Sequence, residues 1–396
     1  IKARSPADDL TDDEQLSLLL EAGGCLTAVK GYATSEVKQV FETAIELGQR
    51  LGKVRELYTA YHGLWRFTLV RGDCKITSQH ARAIANMPKP PTDLLEGMIV
   101  ARVLSSTHFY MGRFRPALLR AEKGVRLYHD TATGVPSNLT SELLVMCLAI
   151  SAMSLWQLGA LEQARCRMAE SLSEARKLDS GHTVVIALVF DTFLHQFVGE
   201  FETAAKSSEE MCDLCDSHGL GSMAYLGMTL NSLSVARLNQ DSGQLSDVKE
   251  GINGWRQTGA GLLVPYCLYR MAECYSMFGD TKEALEIINQ AILMGNHRQE
   301  LWWMPESYRL RAQLHRDLRA DRKLILADLC ACLKLAIQNE ARSHLRQGLE
   351  AARIIGQDSS IMLPAELLEE ASRFLERVPP SLDLDLEAGP PEEGSV

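Results

Sequence analysis

The sequence predicts an all-α solenoid of helical hairpins, on three observations. Apolar residues recur at intervals of three and four, as in "EVKQVFETAIELGQRL", "LVMCLAISAMSLWQLG" and "AECYSMFGDTKEALEIINQAILM", and alternating strand-type runs are nearly absent. Stretches of this kind end at Gly or a short polar turn, so the unit is a pair of helices. A turn Gly returns at Gly72, Gly112, Gly159, Gly199, Gly243 and Gly279, and four of the six have Ala five residues later, at Ala117, Ala164, Ala204 and Ala284. Repetition at this interval marks stacked units, none of which buries its apolar face alone.

Taken in order, residues 1–14 are polar and read as a linker, and a start at Ile1 points to a fragment or processed product with an upstream part missing. The repeat domain is expected over 15–376. Its first turn, at Gly72, carries Thr77 in the Ala position. A clearer copy follows with Leu148, Ala152, Leu155, Gly159, Ala164 and Met168, closed by Ser171. After Gly243 the Ala position holds Val248. The best copy is "LYRMAECYSMFGDTKEALEIINQAIL", where small residues at Ala272, Ala284 and Ala291 let helices approach closely and Gly279 permits a tight turn. Residues 377–396 are Pro-rich and acidic with little to bury, as a disordered tail would be.

That best copy resembles the tetratricopeptide (TPR) repeat. Leu268, Ala272, Tyr275, Gly279, Ala284, Ile288 and Ala291 stand where the TPR pattern has a large apolar residue, a small one, an aromatic, the turn Gly, Ala, a large apolar and Ala. Four further segments, "VKGYATSEVKQVFETAIELGQRLG", "HGLWRFTLVRGD", "RQTGAGLLVPYCLYRMAECY" and "WWMPESYRLRAQL", resemble in that order the TPR region that follows the ATPase module of bacterial class III adenylate cyclase-type and STAND-type signalling proteins. The likeness runs from about Ala28 to Ile354, and "IIGQDSSIMLPAELLEEASRFLERV" departs from it. It implies a right-handed superhelix, a regulatory role in signal transduction, and an ATPase or cyclase module upstream in the whole polypeptide.

Composition narrows the function classes. With 41 Lys+Arg against 51 Asp+Glu, a net charge of −10 and no basic run, the chain carries no footprint for nucleic acid or an anionic membrane. Ten Cys lie inside apolar periodic segments, as buried thiols of a reducing compartment do, so the cytoplasm is expected. The nearly uncharged stretch Leu143–Trp156 is shorter than the ~18–20 residues a membrane span needs, and no basic-then-apolar signal opens the chain.

Motifs for chemistry are weak. No GxxxxGK[ST] loop exists, and Gly52-Lys53 runs into Val54. "GLGSMA", residues 219–224, matches GxGxxA loosely but follows a helix and reads as a helix-ending turn. Cys212-x-x-Cys215-x-x-His218 lacks the second ligand pair of a closed zinc site, and Cys330-x-Cys332 diverges on a helix. His108 and His195 fall at an aromatic packing position four residues before turn glycines, with no nucleophile or acidic orienter at useful spacing. Glu306 and Arg309 read as a solvated pair on one helix face. The expectation is therefore no enzyme, no cofactor and no metal.

In TPR arrays the first helix of each hairpin lines the concave surface. Mapping its inward positions from the turn glycines gives a candidate face of Ile99, Arg102, Phe109, Met146, Met153, Trp156, Ile186, Val189, Phe193 and Arg237. A continuous apolar, Met-containing strip flanked by arginines is expected to hold a protein or peptide partner or an effector, with Trp156 as anchor. The alternative is a tightly coiled superhelix that turns these faces into core.

Overall fold

A computed structural model, which describes residues 10–87, 90–130, 137–359 and 361–377, contains eighteen α-helices and, among those residues, no strand. Helices α1 (Asp12–Lys30) and α2 (Ser35–Leu51) lead into seven hairpins. These are α3 (Val54–Val70) with α4 (Cys74–Ala85), α5 (Leu94–Tyr110) with α6 (Phe114–His129), α7 (Asn138–Gln157) with α8 (Leu161–Lys177), and α9 (Gly181–Val198) with α10 (Phe201–His218). They continue as α11 (Gly221–Asn239) with α12 (Leu245–Gln257), α13 (Val264–Met277) with α14 (Thr281–Arg298), and α15 (Met304–Asp317) with α16 (Arg322–Gln338). Helices α17 (Arg342–Ser359) and α18 (Ala365–Arg377) end the described chain.

The first helices of successive hairpins pack on one another and form an inner layer, while the second helices cover them from outside. Side-chain distribution explains the sorting. Inner helix α7 is apolar nearly all round and buried along most of its length, whereas outer helix α8 buries only Ala164, Met168, Ser171 and Ala175. Helices α7 and α9 are long and apolar enough, by composition, to cross a membrane, longer than the uncharged stretch in the sequence suggested; 78% and 67% of their apolar windows lie buried inside the array.

The hairpin signals have a structural basis. Gly72, Gly112, Gly159, Gly199 and Gly279 all have positive φ, and Ala117, Ala164, Ala204 and Ala284 are fully buried at the crossings beyond them. Gly243 behaves differently: it lies in a 3-10 turn, Ser242–Gln244, and the left-handed residue there is Gln240. The turns after α15 and α16 use Arg319 and Glu340 in the left-handed region, so no Gly marks them. At the N-terminus the expected linker is too long. Thr11 caps α1 by accepting from the Glu14 N–H while Glu14 accepts from the Thr11 N–H, so the helix starts at Asp12. Residues 1–9, and the expected tail from 378 on, lie outside the described residues.

The array coils until it meets itself. The last carbonyls of an α-helix lack intrahelical donors, and three inner helices have theirs met from the second half of the chain. Gly261 and Leu262 donate N–H groups to the Val70 carbonyl at 2.8 and 3.0 Å, Leu301 and Trp302 donate to Tyr110, and the Ser343 hydroxyl donates to Trp156, 187 residues away. The approach of "GAGLLVPY" to "LVRGD" is close enough that a Cβ on Gly261 would stand 2.5 Å from the Arg71 carbonyl oxygen.

This closure decides the fate of the expected concave strip. Ile99, Phe109, Met153, Trp156 and Phe193 are each at most 5% exposed and belong to the core. Trp303, from the segment ahead of α15, stacks on Phe197 at 4.4 Å and on Trp156 at 5.9 Å, and Trp302 lies 5.9 Å from Phe193. The surface that an open superhelix would offer to a partner is covered by the chain's own tryptophans. The Glu306–Arg309 pair is likewise inside and not solvated: Glu306 is 1% exposed, Arg309 Nε donates to it at 2.6 Å, and Arg309 Nη2 donates to the Tyr269 hydroxyl.

Candidate functional site

Among the described residues, a cavity with a solvent-facing mouth remains open at the centre. Most of its wall comes from faces of inner helices, with Trp255 of α12 reaching in from the outer layer. His62, Arg66, Leu69 and Val70 come from α3, Arg102 and Tyr110 from α5, and Glu142, Leu143 and Met146 from α7. His182, Ile186, Val189 and Phe190 come from α9, and Met223 and Leu226 from α11. Spacings of three and four within each helix put these side chains on one stripe. Tyr32, from the turn between α1 and α2, reaches in at one side, and Leu262 and Leu263, from the returning segment before α13, close the other.

Four residues of the expected binding face, Arg102, Met146, Ile186 and Val189, line this cavity. Arg237 does not: its guanidinium lies 5.0 Å over the Phe201 ring and donates to Met277 Sδ. Tyr32, His62, Arg66 and Glu142 were missed. The signal for two of them was present, because the offsets that yield Arg102 and Ser106 from Gly112 yield His62 and Arg66 from Gly72.

The polar groups in this apolar chamber are held without being neutralised. The Arg66 guanidinium lies 5.1 Å over the Tyr32 ring and that of Arg102 lies 5.0 Å over Trp65. Arg102 donates to the Ser106 hydroxyl. Among the described residues neither arginine has a carboxylate hydrogen bond or ion pair, and Arg66 Nε is buried with no acceptor. Elsewhere inside the protein Arg270 is paired with Glu273, Arg309 with Glu306 and Arg311 with Asp328. Burial pushes the Arg102 guanidinium down to about 10, helped by repulsion from Arg66.

The neighbouring groups avoid adding charge. Burial and then the Arg66 charge push His182 down to about 4, and burial with both arginines holds His62 well below the usual imidazole range, so both rings are neutral at pH 7. His182 Nε2 is hydrogen-bonded to the Tyr32 hydroxyl at 2.7 Å, while His62 Nε2 is buried without a partner. Glu142 is the acid among these wall residues; burial raises its carboxyl, offset by Arg66 and a hydrogen bond from Thr183.

The other sequence motifs do not converge on a site. Burial pushes the Cys212 and Cys215 thiols up to about 11 and 12, leaving them protonated, and among the described residues no group of three His, Cys, Asp or Glu could hold a metal ion. In "GLGSMA", Gly219 caps α10 in the left-handed region and Gly221 begins α11.

No family model matches the chain. An uncharacterized protein of Rhizobium meliloti (strain 1021) is 20% identical over 352 residues, which cover 88% of this chain and 34% of that protein; the chain thus spans about a third of its relative's length. Among solved structures, a Rap protein complexed with Competence and Sporulation Factor superposes with a TM-score of 0.59 at 11% identity, over 92% of this chain and 99% of that one. NprR in complex with its cognate peptide NprX gives 0.57 at 12% identity, over 92% and 98%. The chain has the TPR-like, all-α helical-repeat fold of these proteins.

Proposed function

We propose that this chain is the non-catalytic, ligand-sensing domain of a larger cytoplasmic signalling protein, and that it holds a peptide, partner segment or effector in the central cavity. The observation that carries the reading is the cavity itself, enclosed by five inner helices and by a returning segment that is hydrogen-bonded across the superhelix. Ligand sites are chambers of this kind, mostly apolar with a few convergent polar groups. Two supports come from outside the chain: the solved structures of this fold named above hold Competence and Sporulation Factor and the peptide NprX, and the Rhizobium relative has about twice this chain's length left over for other modules. On this proposal, an ATPase or nucleotide cyclase module elsewhere in the polypeptide supplies the chemistry, and this domain biases it through differential binding.

Ile186→Trp tests the reading, since Ile186 lines the chamber and the larger ring would fill part of it. A thermal-shift panel of short peptides and small effectors should include compounds that raise the melting temperature of the wild-type chain and not of the filled variant. A panel that stabilises both proteins equally, or neither, would count against the cavity as the site.

A further inference from the structure

Two arginines in an apolar chamber, each stacked on an aromatic ring and neither paired with a carboxylate, are poised for an anion that the protein does not itself supply. Stacking fixes the plane of a guanidinium while leaving N–H groups at its edge to bind a carboxylate, although Arg102 already gives Nη1 to Ser106. Burying charge without a partner is costly, and the neutral state of His62 and His182 shows that the site already sheds what positive charge it can. With two guanidinium groups against one acidic side chain, Glu142, whose carboxyl burial raises, the chamber has cationic groups in excess; an ionised Glu142 would repel a dianionic phosphate more strongly than a single carboxylate.

We propose, resting on the cavity being the ligand site, that the ligand is a small monocarboxylate with an apolar body, its carboxylate on Arg66 and Arg102 and its apolar part against Met146, Ile186, Phe190 and Leu226. The mainly apolar lining of the chamber suits a ligand of this class. The same chemistry is offered by a free carboxylic acid and by the C-terminal carboxylate of a short apolar peptide.

The experiment is calorimetry with matched probes: octanoate against octan-1-ol, and N-acetyl-leucyl-leucyl-phenylalanine against its C-terminal amide. The charged member of at least one pair should bind roughly tenfold to a hundredfold more tightly than its neutral match, the range of a charged hydrogen-bond pair. The pair that shows the difference identifies the source. Arg66→Gln, at a half-buried position, should reduce the charged probe toward its neutral match, and Glu142→Gln should tighten it severalfold, a gain that a merely structural role would not produce. Circular dichroism confirms that each variant is folded. Equal binding of charged and neutral probes, with both lost in Ile186→Trp, would overturn the carboxylate assignment and leave the cavity reading standing. Failure of both carboxylates to bind at millimolar concentration would also overturn it, while a thermal-shift panel with a ligand blocked by Ile186→Trp would still uphold the cavity.

Discussion

Trp156→Ala separates an open groove from a closed superhelix in one protein. The indole is 5% exposed, with its ring 4.7 Å from Phe197, 5.9 Å from Trp303 and 5.6 Å from His344, so it ties α7 to α9, to the segment before α15 and to α17. Truncating a buried Trp costs about 3–5 kcal/mol, and the lost aromatic pairs, at about 0.5–1.5 kcal/mol each beyond area burial, favour the upper end. At roughly 2 cal/mol/K of unfolding entropy per residue, this corresponds to a drop of about 5 °C for an array of this length melting as one unit. Urea unfolding followed by circular dichroism reads the loss, and Trp156→Phe, which refills much of the space, should recover more than half of it. Ligand affinity should change little, since Trp156 is outside the cavity wall. A Trp156→Ala protein that unfolds like wild type but loses its ligand would refute the reasoning and restore the open strip.

Two further perturbations probe the packing and the closure. Ala284 is fully buried where α14 crosses α13, so Ala284→Leu should cost roughly 1–3 kcal/mol, and an unchanged urea midpoint would show that the crossing has room. Glu300 accepts from the Leu263 N–H and the Trp302 indole, both at 3.1 Å, and burial pushes its carboxyl up to about 7 against a small opposing pull from Arg298. Cys74, Cys267 and Tyr110, the other titratable groups that feel its charge, stay neutral because burial raises them as well. The folded state therefore binds the extra proton. Its stabilising contribution is complete below pH 4.5 and is lost as the pH rises to about 7, on the order of 3 kcal/mol in all. Glu300→Gln keeps the acceptor and removes the charge, so its urea midpoint should change less between pH 5 and 8 than that of wild type; equal slopes would refute the assignment.

The hairpins were legible because their signals are local. A left-handed turn selects Gly within one residue, and a helix crossing selects Ala five residues on, so Gly112 with Ala117 and Gly279 with Ala284 can be read from a short window. The later turns at Arg319 and Glu340 adopt the same backbone without Gly and leave no mark. Closure was not legible. The hydrogen bond from Ser343 to Trp156 spans 187 residues, and nothing near Trp156 in sequence records which segment covers it. For the same reason Glu306 and Arg309 looked solvated: a spacing of three says that two side chains share a helix face, but not that another helix lies on it. Arg66, one of the cavity's three charged groups, was available by counting from Gly72 as Arg102 was from Gly112; Tyr32 was not, since it sits in an irregular turn that no period reaches.

On the proposed function, the closure would give the cavity a way to report its occupancy. Arg66 and Arg102 stand on helices of the first half of the chain, whereas Leu262 and Leu263 belong to the segment that returns from the second half and is held by the Val70 carbonyl. A ligand that reached from the arginines to Leu262 and Leu263 would touch both sides of the seam, and that part of its binding free energy would favour the closed superhelix. At a hundred times its dissociation constant such a ligand adds about 2.7 kcal/mol to the closed state. The backbone hydrogen bonds from Gly261, Leu262, Leu301 and Trp302 contribute about 0.5–1.5 kcal/mol each. Under the proposed function, occupancy would be of the same size as the polar contacts that hold the turns together, large enough to change how tightly the two halves are joined and small enough to be reversed when the ligand leaves. A groove open to solvent along one face would lack this property, because a ligand bound there need touch only neighbouring repeats.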